Sequence, residues 1–295
     1  MMSMRLALLP SSSPTLIREA HAVFVRAFGI AGTAASLLVL TGAVRALAAM
    51  AGLMLFAGFL VAVERQLAGY HPFPRLGAAN RITLIRAGSA CLIASRALDP
   101  APLGATERWV LAALAGIALL LDGADGWAAR RQGLASTFGA RFDMETDAFA
   151  IAVLAVAVVK AATVPSWVLA IGAMRYLYLV AGCLFPVLRA PLPARAFADR
   201  RRKTIAVVQS LALIAALPPA TPAGWAVAVA ALALGLLVYS FAADVAMQLA
   251  DRTHKRTSNK VLAQSPAAHM ITYAREREGA RAKDSCNAAK RQRRD

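Results

Sequence analysis

Apolar segments long enough to cross a membrane as helices recur along this 295-residue chain, and that recurrence limits what it can fold into. A span needs about 20 predominantly apolar residues to cross the hydrocarbon layer. In lipid, only helices or closed barrels satisfy every backbone group. Segments of this length point to helices, so the expected fold is all-α: a polytopic membrane helical bundle. Composition agrees. Charged residues make up 17% and mean hydropathy is +0.56, against roughly 25% charged for a soluble domain. A disordered chain is excluded, and the repeated spans disfavour a water-soluble globule. The 33 Lys+Arg outweigh the 16 Asp+Glu, giving +17. On a hydrophobic chain that excess reflects basic residues kept on the cytoplasmic side. No basic and aromatic interleaving suggests nucleic acid as a partner. Cys91, Cys183 and Cys286 are too scattered for a disulfide framework or a metal motif.

Residues 1–27 carry Arg5, Arg18 and Arg26 and lack a convincing signal segment. They read as a cytosolic arm able to lie as an amphipathic helix on the membrane surface. From Gly29 to Val63 the one charge is Arg45, which fits a hairpin of two spans, 28–44 and 46–63; one long tilted helix is the competing reading. A polar loop, 64–81, leads to six further spans near 82–99, 108–129, 140–162, 165–188, 203–219 and 222–247. Prolines punctuate the breaks. Region 80–247 reads as the catalytic membrane domain. The tail, 251–295, has 12 Lys/Arg and 5 acids. It reads as disordered and drawn to anionic headgroups, or as a solvated tail with no role.

Basic residues orient the bundle. Arg189, Arg195, Arg200, Arg201, Arg202 and Lys203 crowd one loop, whereas turns 163–164 and 220–221 have no Lys or Arg. Both termini and the site are therefore expected in the cytosol. Arg96, Arg108 and Lys160 fall near the outer ends and count against this.

The costly residues carry the functional argument. A charge at a helix centre costs about 2.5–3.5 kcal/mol on insertion scales. Yet Asp122 and Asp125 share one span, and Asp143 and Asp147 the next. The spacings i,i+3 and i,i+4 put each pair on one helix face. The short linker 131–139 makes the helices antiparallel neighbours, so the two pairs converge. Four unpaired carboxylates would repel one another. Hard divalent cations such as Mg²⁺, Mn²⁺ and Ca²⁺ relieve this through oxygen ligands; with no Cys or His nearby, zinc is disfavoured. Gly123, Gly126 and Gly139 allow close approach, and Arg130 can neutralise a phosphate or carboxylate.

The run Asp122-x-x-Asp125-Gly126-x-x-Ala129-Arg130-x8-Gly139-x3-Asp143-x3-Asp147 resembles the CDP-alcohol phosphotransferase family at all eight fixed positions. Asn80-x-x-Thr83-x-x-Arg86 is similar to a second family feature, with Ala79 where a proline often stands. The resemblance covers about 80–247. It implies a six-helix core, here preceded by the hairpin and often found as a homodimer; a bacterial cell membrane is the expected location. It implies a CDP-linked lipid donor, usually CDP-diacylglycerol, an alcohol or phosphorylated alcohol acceptor, and Mg²⁺ or Mn²⁺. It implies that Asp122, Asp125 and Asp143 are metal ligands and that Asp147, near a second metal position, is the general base. Gly126, Ala129 and Gly139 would make room for the cytidine, with Asn80, Thr83 and Arg130 beside the nucleotide.

The acceptor is less constrained. Arg201, Arg202 and Lys203 suit an acceptor phosphate, or are the inside-loop signal alone. Arg175, near mid-span, calls for a phosphate or carboxylate partner. Glycerophosphate-type members often carry Lys-Thr-x-x-Gln, but here Lys203-Thr204 is followed by Gln209, two residues late. Glu145 falls on a different face from the two Asp of its helix. A divalent-cation transporter is the alternative; such sites usually lie at mid-membrane on broken helices within repeats, and no repeat is evident. A non-enzymatic scaffold leaves four carboxylates unexplained.

Overall fold

The computed structural model describes residues 14–70, 73, 75–132, 134, 136–185 and 196–263. Among them are eight α-helices and no strands. They are α1 (Pro14–Leu40), α2 (Ala46–Tyr70), α3 (Gly77–Leu98), α4 (Ala105–Gln132), α5 (Thr137–Lys160), α6 (Leu169–Leu184), α7 (Ala196–Ala216) and α8 (Ala223–Ala263). Four segments are apolar and long enough to cross a membrane: 15–40, 46–65, 166–184 and 223–250. Four such helices indicate a multi-pass membrane protein. α3 and α5 are also long, but each carries charges along its length. Arg81, Arg86 and Arg96 lie on α3; Arg141, Asp143, Glu145 and Asp147 lie on α5.

The chain divides into two compact units. One comprises residues 1–184 and 195–241, the other 185–194 and 242–295. The first contains the site. In it α3 packs against both α4 and α5, and α5 against α6 and α7. Ile93, Leu111, Leu154, Val158, Leu213 and Ala230 belong to its main apolar core. Lipid tails are as apolar as leucine, so close van der Waals packing of small residues dominates. Gly172 illustrates this: a Cβ there would meet the Cα of Ala152 on α5 at 2.5 Å.

The first two helices form a hairpin. Gly42 ends α1 in the left-handed region (φ +74°), a conformation glycine adopts without steric cost. Its N–H reaches Val39 O, and Val44 N–H reaches Leu38 O. Arg45 N–H then donates to the Asp99 carboxylate at 2.5 Å, tying the hairpin turn to the end of α3. The hairpin packs on α3 and α5 through a second core that includes Phe24, Phe56, Leu60, Leu84 and Phe142. Phe59 sits between Phe142 and Phe149, with ring centroids 5.9 and 5.7 Å away.

Two boundaries differ from the sequence expectation. Helix α1 starts at Pro14 rather than near 28, so half of the expected arm is built into the bundle. Leu16, Ala20 and Phe24 are buried at four-residue spacing, a stripe that packs even though charged residues interrupt the apolar run. Helix α8 continues to Ala263, so residues 251–263 are helical where a disordered tail was expected; 264–295 lie outside the described residues. No proline interrupts α8 beyond Pro222, and nothing in the backbone chemistry stops the helix at 250.

At the ends opposite the acidic residues, a polar network closes α3, α4 and α5. Arg96 makes two hydrogen bonds to Glu107, at 2.8 and 2.7 Å, and donates to Ala101 O and Pro102 O. Lys160 donates to Arg96 O and Ala97 O. Arg108 donates to Leu217 O, Pro218 O and Thr163 Oγ1. These cations satisfy carbonyls that helix ends leave without partners.

Candidate active site and metal centre

Three helices supply the site. α3 contributes Asn80, Thr83 and Arg86, spaced by three along one flank. α4 contributes Asp122 near its C-terminal end, and α5 contributes Gly139, Asp143 and Asp147, spaced by four. Ser136 caps α5, its Oγ accepting from Gly139 N–H at 3.0 Å. At the start of α3, Gly77 takes φ +81°, and the following Ala78 N–H donates to Gln132 Oε1 on α4 at 3.1 Å. The entry to α3 is thereby pinned to the exit of α4, which sets the depth of both.

The carboxylates converge. Asp122, Asp143 and Asp147 each offer an oxygen, all within 4.8 Å of one another. In their midst lies the Arg86 guanidinium, whose side chain is 5% exposed. Its Nη1 donates to Asp143 Oδ1 at 2.6 Å, and its Nη2 reaches Asp122 Oδ1 at 2.7 Å and also pairs with Asp147 Oδ1. Asp125 belongs to α4, but its side chain lies outside the described residues, as do those of Ala129 and Arg130. The donor set of the described cluster is oxygen alone and anionic, with no His or Cys in the group. That chemistry fits Mg²⁺ or Mn²⁺.

Two residues expected beside a nucleotide lie on α3 in the turns before Arg86. Asn80 is buried, and its Oδ1 stands 3.1 Å from where a Cβ on Gly139 would lie. Its Nδ2 donates to Leu76 O. Thr83 is buried, and its hydroxyl donates to Ala79 O. Gly126 lies in α4 between the two ends of the motif. From Arg86 and Asp147 a narrow cleft continues between α3, α4, α5 and α7, lined by Ala90, Ala115, Ala118, Thr146, Ala150 and Ser210.

Two of the basic residues assigned to the acceptor have described contacts elsewhere. Arg175 on α6 pairs with Glu145 on α5 at 2.5 Å, so its partner is a carboxylate of its own chain. Arg201 on α7 donates to Ser240 O at 3.3 Å and lies over the Tyr239 ring, 5.9 Å from its centroid. Arg202 is half-buried and Lys203 exposed. Gln209 is 3% exposed, and its Nε2 has no hydrogen-bond partner among the described residues.

Two participants escaped the sequence reading. Arg86 stood in the Asn80-x-x-Thr83-x-x-Arg86 run but was given no role. Its signal was a lone arginine within a span, three residues beyond a polar pair on one helical flank. Glu145 was set apart from the acids by its helical face, and that same face aims it at Arg175.

A helical membrane bundle with a half-buried cluster of carboxylates suited to a hard divalent ion defines the class. The sequence profile of the CDP-alcohol phosphatidyltransferase family matches residues 76–239, more than half of the chain, and the chain belongs to that family. It begins at the residue before α3 and ends within α8, so the α1–α2 hairpin precedes the family core. No curated protein matches the chain, and no solved structure does. Membership makes the protein a phosphatidyl transferase that uses a CDP-linked alcohol.

Proposed function

We propose that the protein transfers the phosphatidyl group of CDP-diacylglycerol, or a related CDP-linked lipid, to an alcohol acceptor. CMP is released, and the reaction depends on Mg²⁺ or Mn²⁺. The observation that carries this reading is the convergence of Asp122 from α4 with Asp143 and Asp147 from α5; the two helices meet through α3, on which both pack, rather than as the directly packed neighbours that the short linker led one to expect. Asp125 completes the proposed ligand set by its place in the motif. A divalent ion held there would neutralise phosphate charge and favour departure of the nucleotide.

The chain's own residues supply the rest. Asp147 takes the proton of the acceptor hydroxyl as that oxygen bonds to the phosphatidyl phosphorus. The bond from that phosphorus to the CMP oxygen breaks, and the electron pair leaves with CMP. Gly139 leaves space beside Asn80 for the nucleotide, and Asn80 and Thr83 line the approach on α3. Gly126, Ala129 and Arg130 flank the same nucleotide from α4. The apolar cleft below Asp147 keeps water from competing with the acceptor. Arg201, Arg202 and Lys203 remain candidates for binding an acceptor phosphate as it enters, whereas the Arg175 pairing with Glu145 speaks for a structural role.

The test is a panel of acceptors: glycerol 3-phosphate, serine, inositol, inositol phosphate and a second lipid. Each is supplied to the purified protein with CDP-diacylglycerol and Mg²⁺. One acceptor is expected to give CMP and a phosphodiester lipid of matching mass. Divalent-cation flux into liposomes, with no CMP from any acceptor, would instead support a transporter.

A further inference from the structure

We propose that Arg86 is a positioning residue that holds Asp122, Asp143 and Asp147 together and competes with a divalent ion for them. The inference rests on the reading of the three carboxylates as a metal centre.

The three oxygens grouped within 4.8 Å of one another come from the same carboxylates that the guanidinium touches. One nitrogen serves Asp143, and the other bridges Asp122 on α4 to Asp147 on α5. Arg86 therefore joins three helices at one point. Without it, three half-buried carboxylates would face and repel each other. A guanidinium does not give up its proton in a protein. The competition is therefore relieved only by movement of the side chain, not by deprotonation. Arg86 thus keeps the acids assembled between metal-binding events and weakens the hold on the ion relative to a bare acidic triad.

The experiment titrates full-length purified protein with Mn²⁺, following the free ion by electron paramagnetic resonance. Thermal unfolding is recorded in EDTA and in Mg²⁺. Wild type, Arg86→Gln and Arg86→Lys are compared. Gln removes the charge, and at least about tenfold tighter Mn²⁺ binding is expected, given the strength of charge pairs at such distances. Its Tm falls in EDTA and rises more on adding Mg²⁺ than that of wild type. Lys keeps the charge without the fork, so it falls between the two. A merely structural arginine would not tighten binding when removed. Unchanged or weaker Mn²⁺ binding in either folded variant overturns the proposal. So does failure of both to fold in Mg²⁺, because the ion should replace the guanidinium as the assembling cation. Wild type that binds no Mn²⁺ overturns the metal-centre reading itself, and this proposal with it; the two failures are thus distinguishable.

Discussion

Asp147 carries the largest single expectation. It meets Asp143 and Asp122 at the guanidinium yet lies one helical turn deeper on α5 than Asp143, at the mouth of the apolar cleft. Asp147→Asn keeps the size and polarity but removes the proton acceptor. CMP release is expected to fall by about 10²–10⁴-fold, the usual contribution of a positioned base. Binding of a non-hydrolysed CDP-lipid, measured on the same sample, should survive. A matched loss of both would mean that Asp147 binds rather than reacts. The pairs of acids were readable from spacing alone, because i,i+3 and i,i+4 fix a helix face before any packing is known. The guanidinium between them was not, since which way a buried arginine turns depends on the neighbouring helices. Arg175 was half legible: its need for a counter-charge followed from its depth in the span, but the supply from Glu145 on α5 did not.

Helix contacts show where packing governs the site. Gly172→Ala would set a methyl against the Ala152 backbone, and α5 and α6 must separate to admit it. A loss of about 1–3 kcal/mol is expected, typical of overpacking, seen as a lower Tm in detergent. A wild-type Tm would show that the two helices can slide apart freely. The hairpin makes a second case. Phe56 is fully buried against α3, and Phe59 stacks on α5, so the hairpin braces the two helices that carry Arg86 and Asp147. Phe56→Ala should cost about 3–5 kcal/mol. It should also lower transfer activity without touching any site residue. Stability loss with full activity at low temperature would separate the hairpin from the site. The two-helix form of 28–63 was legible from the position of Arg45, but the start of α1 was not. Reading by unbroken apolar runs hides a buried stripe such as Leu16, Ala20 and Phe24, which polar residues interrupt.

At the scale of the whole molecule, the proposed orientation places both termini in the cytosol. Arg96, Arg108 and Lys160 argued against it by sequence. All three are engaged with carbonyls at the ends of α3 and α7 or with Glu107 and Thr163. They are bound into the end of the bundle rather than exposed on a loop, so the bias of loop charge weighs more. Green fluorescent protein fused at either end should fluoresce in cells, and alkaline phosphatase fused at the same places should stay inactive. The reverse pattern would invert the bundle and put the acids on the outer side. The bundle architecture followed from span length and repetition; the polar network at its far end did not, because it is assembled from residues more than 100 positions apart, such as Arg108 and Leu217.

The most direct measurement is CMP release from CDP-diacylglycerol by wild type and Asp122→Asn, stripped with EDTA and then titrated with Mg²⁺. Wild type should be silent without the ion and recover as Mg²⁺ is restored, with the variant needing at least about tenfold more of it, the usual weakening when a ligand shell is damaged. Equal CMP release in EDTA, or identical Mg²⁺ dependence in the two proteins, would contradict a metal-assembled site at these carboxylates.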